Sequence, residues 1–191
     1  TMRFAIALST LLTCIIGIEI STFKLSQAVQ LQDGKVYFVQ VPRLLKATTT
    51  FKDVNIWGAT YYFTVKVPSD AGEPLQTITI NQHSGLDKIN FDLEDSFAIS
   101  GTRKSKKEKL PLQISEKPKS KTVSVTFDPA IEPGKTITIA LKPVRNPSVE
   151  GVYLFGVTAF PKGEQSHGQF LGYGRLHFYR NNNSLFSPFG W

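Results

Sequence analysis

Three histidines, a cluster of carboxylates and a lysine-rich run are the groups in this sequence whose chemistry could go beyond packing. His83, His167 and His177 sit at none of the short spacings by which one helix or loop offers imidazoles to a metal. A site would need facing strands to unite His167 with His177, and such a pair would suit a copper-type carrier or an enzyme centred on it. Otherwise His167 is a loop side chain and His177 stands on the solvent face of a strand, with no metal and no cofactor. Asp92, Glu94 and Asp95 carry the hard oxygens that Ca2+ prefers, but the loop pattern of a calcium hand is missing, so a solvated turn is expected.

Covalent catalysis lacks its parts. No G-x-S-x-G elbow occurs, and Ser166 and His167 are neighbours with no carboxylate marked to orient the imidazole. Gly172-Tyr-Gly174 has neither the third glycine nor the following helix of a dinucleotide site. The single cysteine, Cys14, falls in an apolar N-terminal run, which leaves the remaining chain without thiols or disulfides. A non-catalytic protein is therefore expected.

The basic run is the polar feature with a definite physical consequence. Between Arg103 and Lys121 eight cations (Arg103, Lys104, Lys106, Lys107, Lys109, Lys117, Lys119 and Lys121) meet only Glu108 and Glu116. Elsewhere after residue 28 twelve cations balance twelve carboxylates, so the basic character belongs to one segment. Such a run attracts phosphates, anionic lipid headgroups or acidic polysaccharide through a field that salt screens, and could hold the protein at a membrane surface. Nucleic acid fits poorly, because no aromatic side chain lies within the run to stack on bases. A second reading is edge protection, since Leu110-Pro-Leu-Gln-Ile114 is flanked by lysines and broken by proline. Trp57 and Tyr62 could together offer sugar rings a platform, as in a glycan-binding module, although a tryptophan followed by alternating aromatics is expected in the core.

These side chains must be positioned by strands. Residues 61–67 alternate cleanly, with Tyr61, Phe63, Val65 and Val67 on one face and Tyr62, Thr64 and Lys66 on the other. Val36–Val41, Leu44–Phe51, Leu75–Gln82, Thr122–Phe127 and Thr136–Leu141 read as further strands, and Ile89–Phe91 and Phe97–Ile99 as short apolar pieces. Val152–Phe160 is apolar or small throughout and reads as central, whereas Arg175, His177 and Tyr179 alternate with Leu176 and Phe178 as in a half-exposed strand. Gly156 marks a bulge or a close approach. Two prolines make Lys142–Ser148 an ordered connection. No stretch after residue 28 keeps a 3.6-residue period, so the expectation is an all-β antiparallel sandwich, immunoglobulin-like or similar, of about seven to nine strands.

The ends are read separately. Arg3, the apolar residues 4–20 and Ser26-Gln-Ala28 predict a signal peptide over 1–28, cleaved after Ala28. The sandwich domain is placed at 29–180, and 181–191 as a polar hinge leading to Leu185, Phe186, Phe189 and Trp191, a candidate docking tail for a protein partner.

Five blocks carry a resemblance: Trp57–Phe63, Ala71–Leu75, Lys142–Ser148, Gly151–Pro161 and Gly168–Tyr179. In this order they resemble the cyanobacterial secreted family catalogued as domain of unknown function 2808, over about Val29 to Tyr179. The resemblance implies an exported protein of the periplasm, the thylakoid lumen or the cell exterior. No activity is established for that family, so it implies no catalytic or binding residue, and neither the lysine-rich run nor the tail belongs to its blocks. The expected function is that of an exported binding or structural protein of the cell envelope or lumen, acting through residues 103–121 and the apolar tail.

Overall fold

The computed structural model describes residues 29–30, 34–104 and 108–181. The predicted signal segment and the docking residues Leu185, Phe186, Phe189 and Trp191 lie outside them, as do Lys106 and Lys107. In chain order the strands are β1 (Val29–Gln30), β2 (Val36–Tyr37), β3 (Arg43–Thr49), β4 (Tyr61–Lys66), β5 (Leu75–Ser84) and β6 (Phe91–Ser100). They continue with β7 (Leu112–Lys117), β8 (Thr122–Ile131), β9 (Thr136–Pro143), β10 (Gly151–Pro161) and β11 (Gln169–Phe178). One sheet has the order β11-β10-β5-β8-β7 and the other β3-β4-β9-β6, with every pairing antiparallel. The protein is an all-β antiparallel sandwich. The eleven strands among the described residues exceed the expected range because β1 and β2 form a separate ladder of two residues each.

Alternation puts the core between the sheets. Tyr61, Phe63 and Val65 of β4 face Tyr153, Phe155 and Val157 of β10, all buried, while Tyr62 and Lys66 of β4 are partly exposed on the outer face. The rings of Tyr61 and Phe63 meet Phe155 at 6.0 and 5.7 Å, and Tyr153 meets Phe178 edge-on at 5.4 Å. Each such pair adds about 0.5–1.5 kcal/mol to the burial of its rings. As expected, β10 is central and β11 is an edge with Leu176 and Phe178 turned inward.

Two strand expectations change, and the reading of Gly156 is decided. The predicted strand 36–41 is reduced to β2, because Phe38 N–H donates to Gln169 Oε1 and Val39 N–H to the Ala71 carbonyl, so the segment crosses the end of the sandwich. Phe91 of the apolar piece 89–91 and the whole of 97–99 fall in one strand, β6, interrupted between Asp92 and Phe97, with Ile89 and Asn90 just ahead of it. There the Asp92 carboxylate accepts from Asp95 N–H at 3.3 Å, and Ser96 Oγ donates to the Asp92 carbonyl at 2.6 Å. Gly156 is not a close approach, since an added Cβ would make ordinary contacts with Phe170 at 3.4 Å and Tyr173 at 3.5 Å, but a register shift of the β10–β11 pairing lies beside it at Val157 and Thr158.

One end of the sandwich is knitted by polar groups. Asn146, fully buried, accepts from Tyr61 Oη at 2.9 Å and donates through Nδ2 to the carbonyls of Phe51 and Asp53 at 3.1 and 2.8 Å. Burial, reinforced by the neighbouring Tyr153, pushes the Tyr61 hydroxyl far above its ordinary pKa, so it stays a neutral donor. The Asp87 carboxylate accepts from Ser148 N–H and Oγ, both at 2.6 Å, and from Val149 N–H at 3.3 Å. The Ser148 hydroxyl, then its amide, holds this carboxyl below the usual range. These bonds order the 142–148 connection, as its prolines predict.

Candidate functional site

The outer face of the four-stranded sheet carries an arrangement that no single sequence segment contains. Period-two alternation turns Lys46 and Thr48 of β3, Tyr62 and Thr64 of β4, and Thr138 of β9 to this face, in register as Thr48–Tyr62 and Lys46–Thr64–Thr138. The chain leaving β6 folds back across it. Gly101 N–H donates to the Thr136 carbonyl at 2.7 Å, Thr138 Oγ1 donates to the Gly101 carbonyl at 2.8 Å, and Ile99 bridges Lys109.

That return places the Arg103 guanidinium 4.8 Å above the Tyr62 ring. A cation over an aromatic face gains about 0.5–1 kcal/mol at an exposed site, enough to bias where the guanidinium sits without removing its donors from water. Between this loop and β3 lies a groove of about 600 Å3 lined by Lys46, Thr48, Thr49, Tyr62, Thr64, Thr102, Arg103 and Lys104. Three cations and several hydroxyls converge there, and no carboxylate is among its described lining residues. Chemically the groove offers charge-assisted donors and one aromatic surface. It suits an anionic group carried on a polar body. Among the described residues no group of three His, Cys, Asp or Glu side chains could hold a metal ion.

The lysine-rich run does not form one patch. Arg103 and Lys104 belong to the groove, and Lys109 sits over the Phe97 ring at 5.4 Å on the same face. Lys117 ends β7, and Lys119 and Lys121 follow it around a 3-10 turn at Pro118–Ser120. Six residues of strand separate the two groups by about 20 Å at the usual rise. The far turn is tied to β5, where Asn81 Nδ2 donates to the Ser120 carbonyl at 2.5 Å. Since β7 is an edge strand preceded by Pro111 and followed by lysines, its geometry also matches the edge-protection reading.

The two histidines of the metal reading are set apart. His167 packs on Tyr37 at 4.8 Å before β11 begins, and its N–H donates to the Val36 carbonyl. His177, near the other end of β11, pairs with Val152 and stacks with Tyr179 at 6.3 Å. The run of chain along β11 holds them about 30 Å apart, so they do not lie on facing strands as a shared site would need. Trp57 corrects the core expectation: it is 67% exposed, bridged to Arg145, and does not line the groove with Tyr62. Sequence reasoning had Tyr62 and Arg103 as members of two rival sites and missed Lys46, Thr48 and Thr102. Outward alternation in 44–51 was the signal available for Lys46 and Thr48.

Comparison with known proteins adds the following. The family model described as "Protein of unknown function (DUF2808)" matches residues 35–178. No curated protein matches the chain. Among solved structures, a collagen-binding domain from a Staphylococcus aureus adhesin is similar at 11% identity and a TM-score of 0.38, over 71% of this chain and 98% of that one. BcpA, the major pilin subunit of Bacillus cereus, is similar at 10% identity and 0.44, over 73% of this chain and 41% of that one. An uncharacterized immunoglobulin-like protein from Nocardia farcinica is similar at 14% and 0.40, over 70% and 98%. These likenesses concern the fold alone.

Proposed function

Given that the chain belongs to the family described as "Protein of unknown function (DUF2808)", a description that names no activity, we propose a function from the groove: an exported, non-catalytic protein that binds an anionic component of the cell envelope or lumen. The observation that carries this reading is the convergence of Lys46, Arg103 and Lys104 around Tyr62, with Thr48, Thr64 and Thr102 beside them and no described carboxylate lining the groove. Three cations gathered with no carboxylate among the described lining residues raise the local potential, and the groove walls keep it from being screened as quickly as on a flat surface. Export rests on the leader-like residues 1–28, where Arg3 precedes an apolar stretch and Ser26-Gln-Ala28 supplies the small residues of a cleavage site.

The test compares polygalacturonate, an acidic polysaccharide, with vesicles of phosphatidylglycerol, an anionic lipid, at about 0.15 M salt, where the Debye length is about 8 Å. The double variant Arg103→Ala/Lys104→Ala should weaken binding to the preferred anion by about tenfold or more, each lost charged contact of about 1 kcal/mol taking roughly fivefold. The triple variant Lys117→Ala/Lys119→Ala/Lys121→Ala should leave affinity within about twofold, because exposed charges a Debye length or more from the ligand are largely screened. Binding that follows the far lysines instead, or binding to neither anion, rejects the reading.

A further inference from the structure

A second groove lies on the opposite flank of β3. The seam between β3 and β11, about 230 Å3, is lined by Ala47, Thr48, Thr49, Lys52, Arg175, Leu176, His177 and Tyr179. Like the first groove it has cations, hydroxyls and aromatic rings, and no described carboxylate lines it. The two grooves share Thr48 and Thr49, so β3 is a low rail between them.

The seam is fixed in position. At its lower end Tyr179 N–H donates to the Lys52 carbonyl at 2.8 Å, and Val54 N–H donates to the Tyr179 carbonyl at 3.0 Å. Higher up, Gly174 lets β11 approach so closely that an added Cβ would stand 2.8 Å from both Ala47 Cβ and Phe63 Cε1. Above these anchors Lys52 and Arg175 are exposed, His177 is partly so, and the exposed Tyr179 ring lies nearly parallel to the His177 ring at 24°.

We infer that the two grooves form one track, and that its ligand is a linear acidic polysaccharide laid across β3. The inference rests on the anion-binding reading above and narrows its ligand. A single headgroup or free anion fills one groove and gains nothing from the other. A chain with a carboxylate on successive sugars can place one charge among Lys46, Arg103 and Lys104 and another between Lys52 and Arg175. It can rest a ring face on the exposed Tyr179 and pack C–H groups against the edge of Tyr62, whose face Arg103 covers. Charge complementarity selects a polyanion, and the alternation of cation, hydroxyl and aromatic selects a sugar backbone over a lipid plane. Joining two weak grooves through one ligand makes the second contact intramolecular, so affinity should rise steeply with ligand length.

The experiment measures binding of digalacturonate and of a long oligogalacturonate to the full chain by calorimetry. The long ligand should bind about tenfold or more tightly than the short one. Lys52→Ala/Arg175→Ala, both at exposed positions and checked for an unchanged thermal midpoint, should erase that difference and leave digalacturonate binding as it was. Lys52→Glu should weaken the long ligand further. If affinity does not depend on length, or the seam variants leave the long ligand unaffected while Arg103→Ala/Lys104→Ala still removes binding, the track is wrong and the single groove stands. If phosphatidylglycerol vesicles bind and neither galacturonate does, the polysaccharide is wrong and the anion site stands. Binding to no anion at all overturns both.

Discussion

At the residue scale, the side chains that hold this molecule together and those proposed to act are different in kind. Asn146 is fully buried and joins Tyr61 to two carbonyls of the 51–53 segment. Removing its amide takes from the buried Tyr61 hydroxyl its acceptor and from the Asp53 carbonyl its side-chain donor, at about 1–3 kcal/mol per stranded group, while the Phe51 carbonyl keeps the Thr49 hydroxyl at 2.9 Å. Asn146→Ala should therefore lower stability by about 3 kcal/mol and the thermal midpoint by roughly 6–12 °C for a domain of this size. A melt followed by circular dichroism decides it, and a midpoint within about 2 °C of wild type would mean that the network contributes little. Arg103 is the contrast. It is exposed, rests on Tyr62, and Arg103→Ala should leave the melt almost unchanged while weakening anion binding. The anion-binding role expected of Arg103 was already read from the basic run, but the role of Asn146 was not legible in the sequence. Asn146 reads there only as one residue of a proline-flanked connection, and its value comes from lying beside Tyr61, 85 residues away in the chain.

At the scale of elements, what was legible is alternation, and what was hidden is adjacency. The outward set Tyr62, Thr64 and Lys66 and the inward set Tyr61, Phe63 and Val65 follow from period two alone, and the structure agrees. That 101–104 would fold over the outward set depends on the β6–β9 pairing, and no local pattern announces which strands pair. For the same reason His167 and His177 looked like a pair in sequence, although one extended strand keeps them apart. The glycines make the point most sharply. Gly156, inside a conspicuous apolar run, reads as a bulge or a close approach, but the glycine at which the two sheets leave no room for a Cβ is Gly174 of β11, against Ala47 and Phe63. Gly174→Ala must push β11 away from β3, and overpacking of this kind costs about 1–3 kcal/mol. Chemical denaturation should report that loss. Gly172→Ala, with open space around its Cβ and a φ of +116°, should cost about 1–3 kcal/mol through backbone strain alone, without displacing the seam. Equal loss of long-ligand binding in both variants would show that the β3–β11 spacing is not what matters.

At the scale of the whole molecule, the fold is held by pairings between distant parts of the chain. The centre of the five-stranded sheet is β5 against β10, where Ile80 meets Val157, and the four-stranded sheet is closed by β4 against β9, where Phe63 meets Ile139. Neither pair can form through a short hairpin, so the loop-closure entropy must be met before the core rings make contact. The charge distribution does not help, since the basic residues sit on outer faces and ends, away from the interface that must assemble. Refolding from denaturant should accordingly take milliseconds to seconds, in the range of other all-β sandwiches, and should slow further when a core ring that bridges the sheets, such as Phe155, is truncated. Stopped-flow circular dichroism is the suitable probe, because Trp57 is 67% exposed in the native state and its emission reports poorly on burial. Refolding in microseconds would mean that local hairpins such as β7–β8 and β10–β11 carry the transition state. Phe155→Ala would then speed unfolding and leave the folding rate alone.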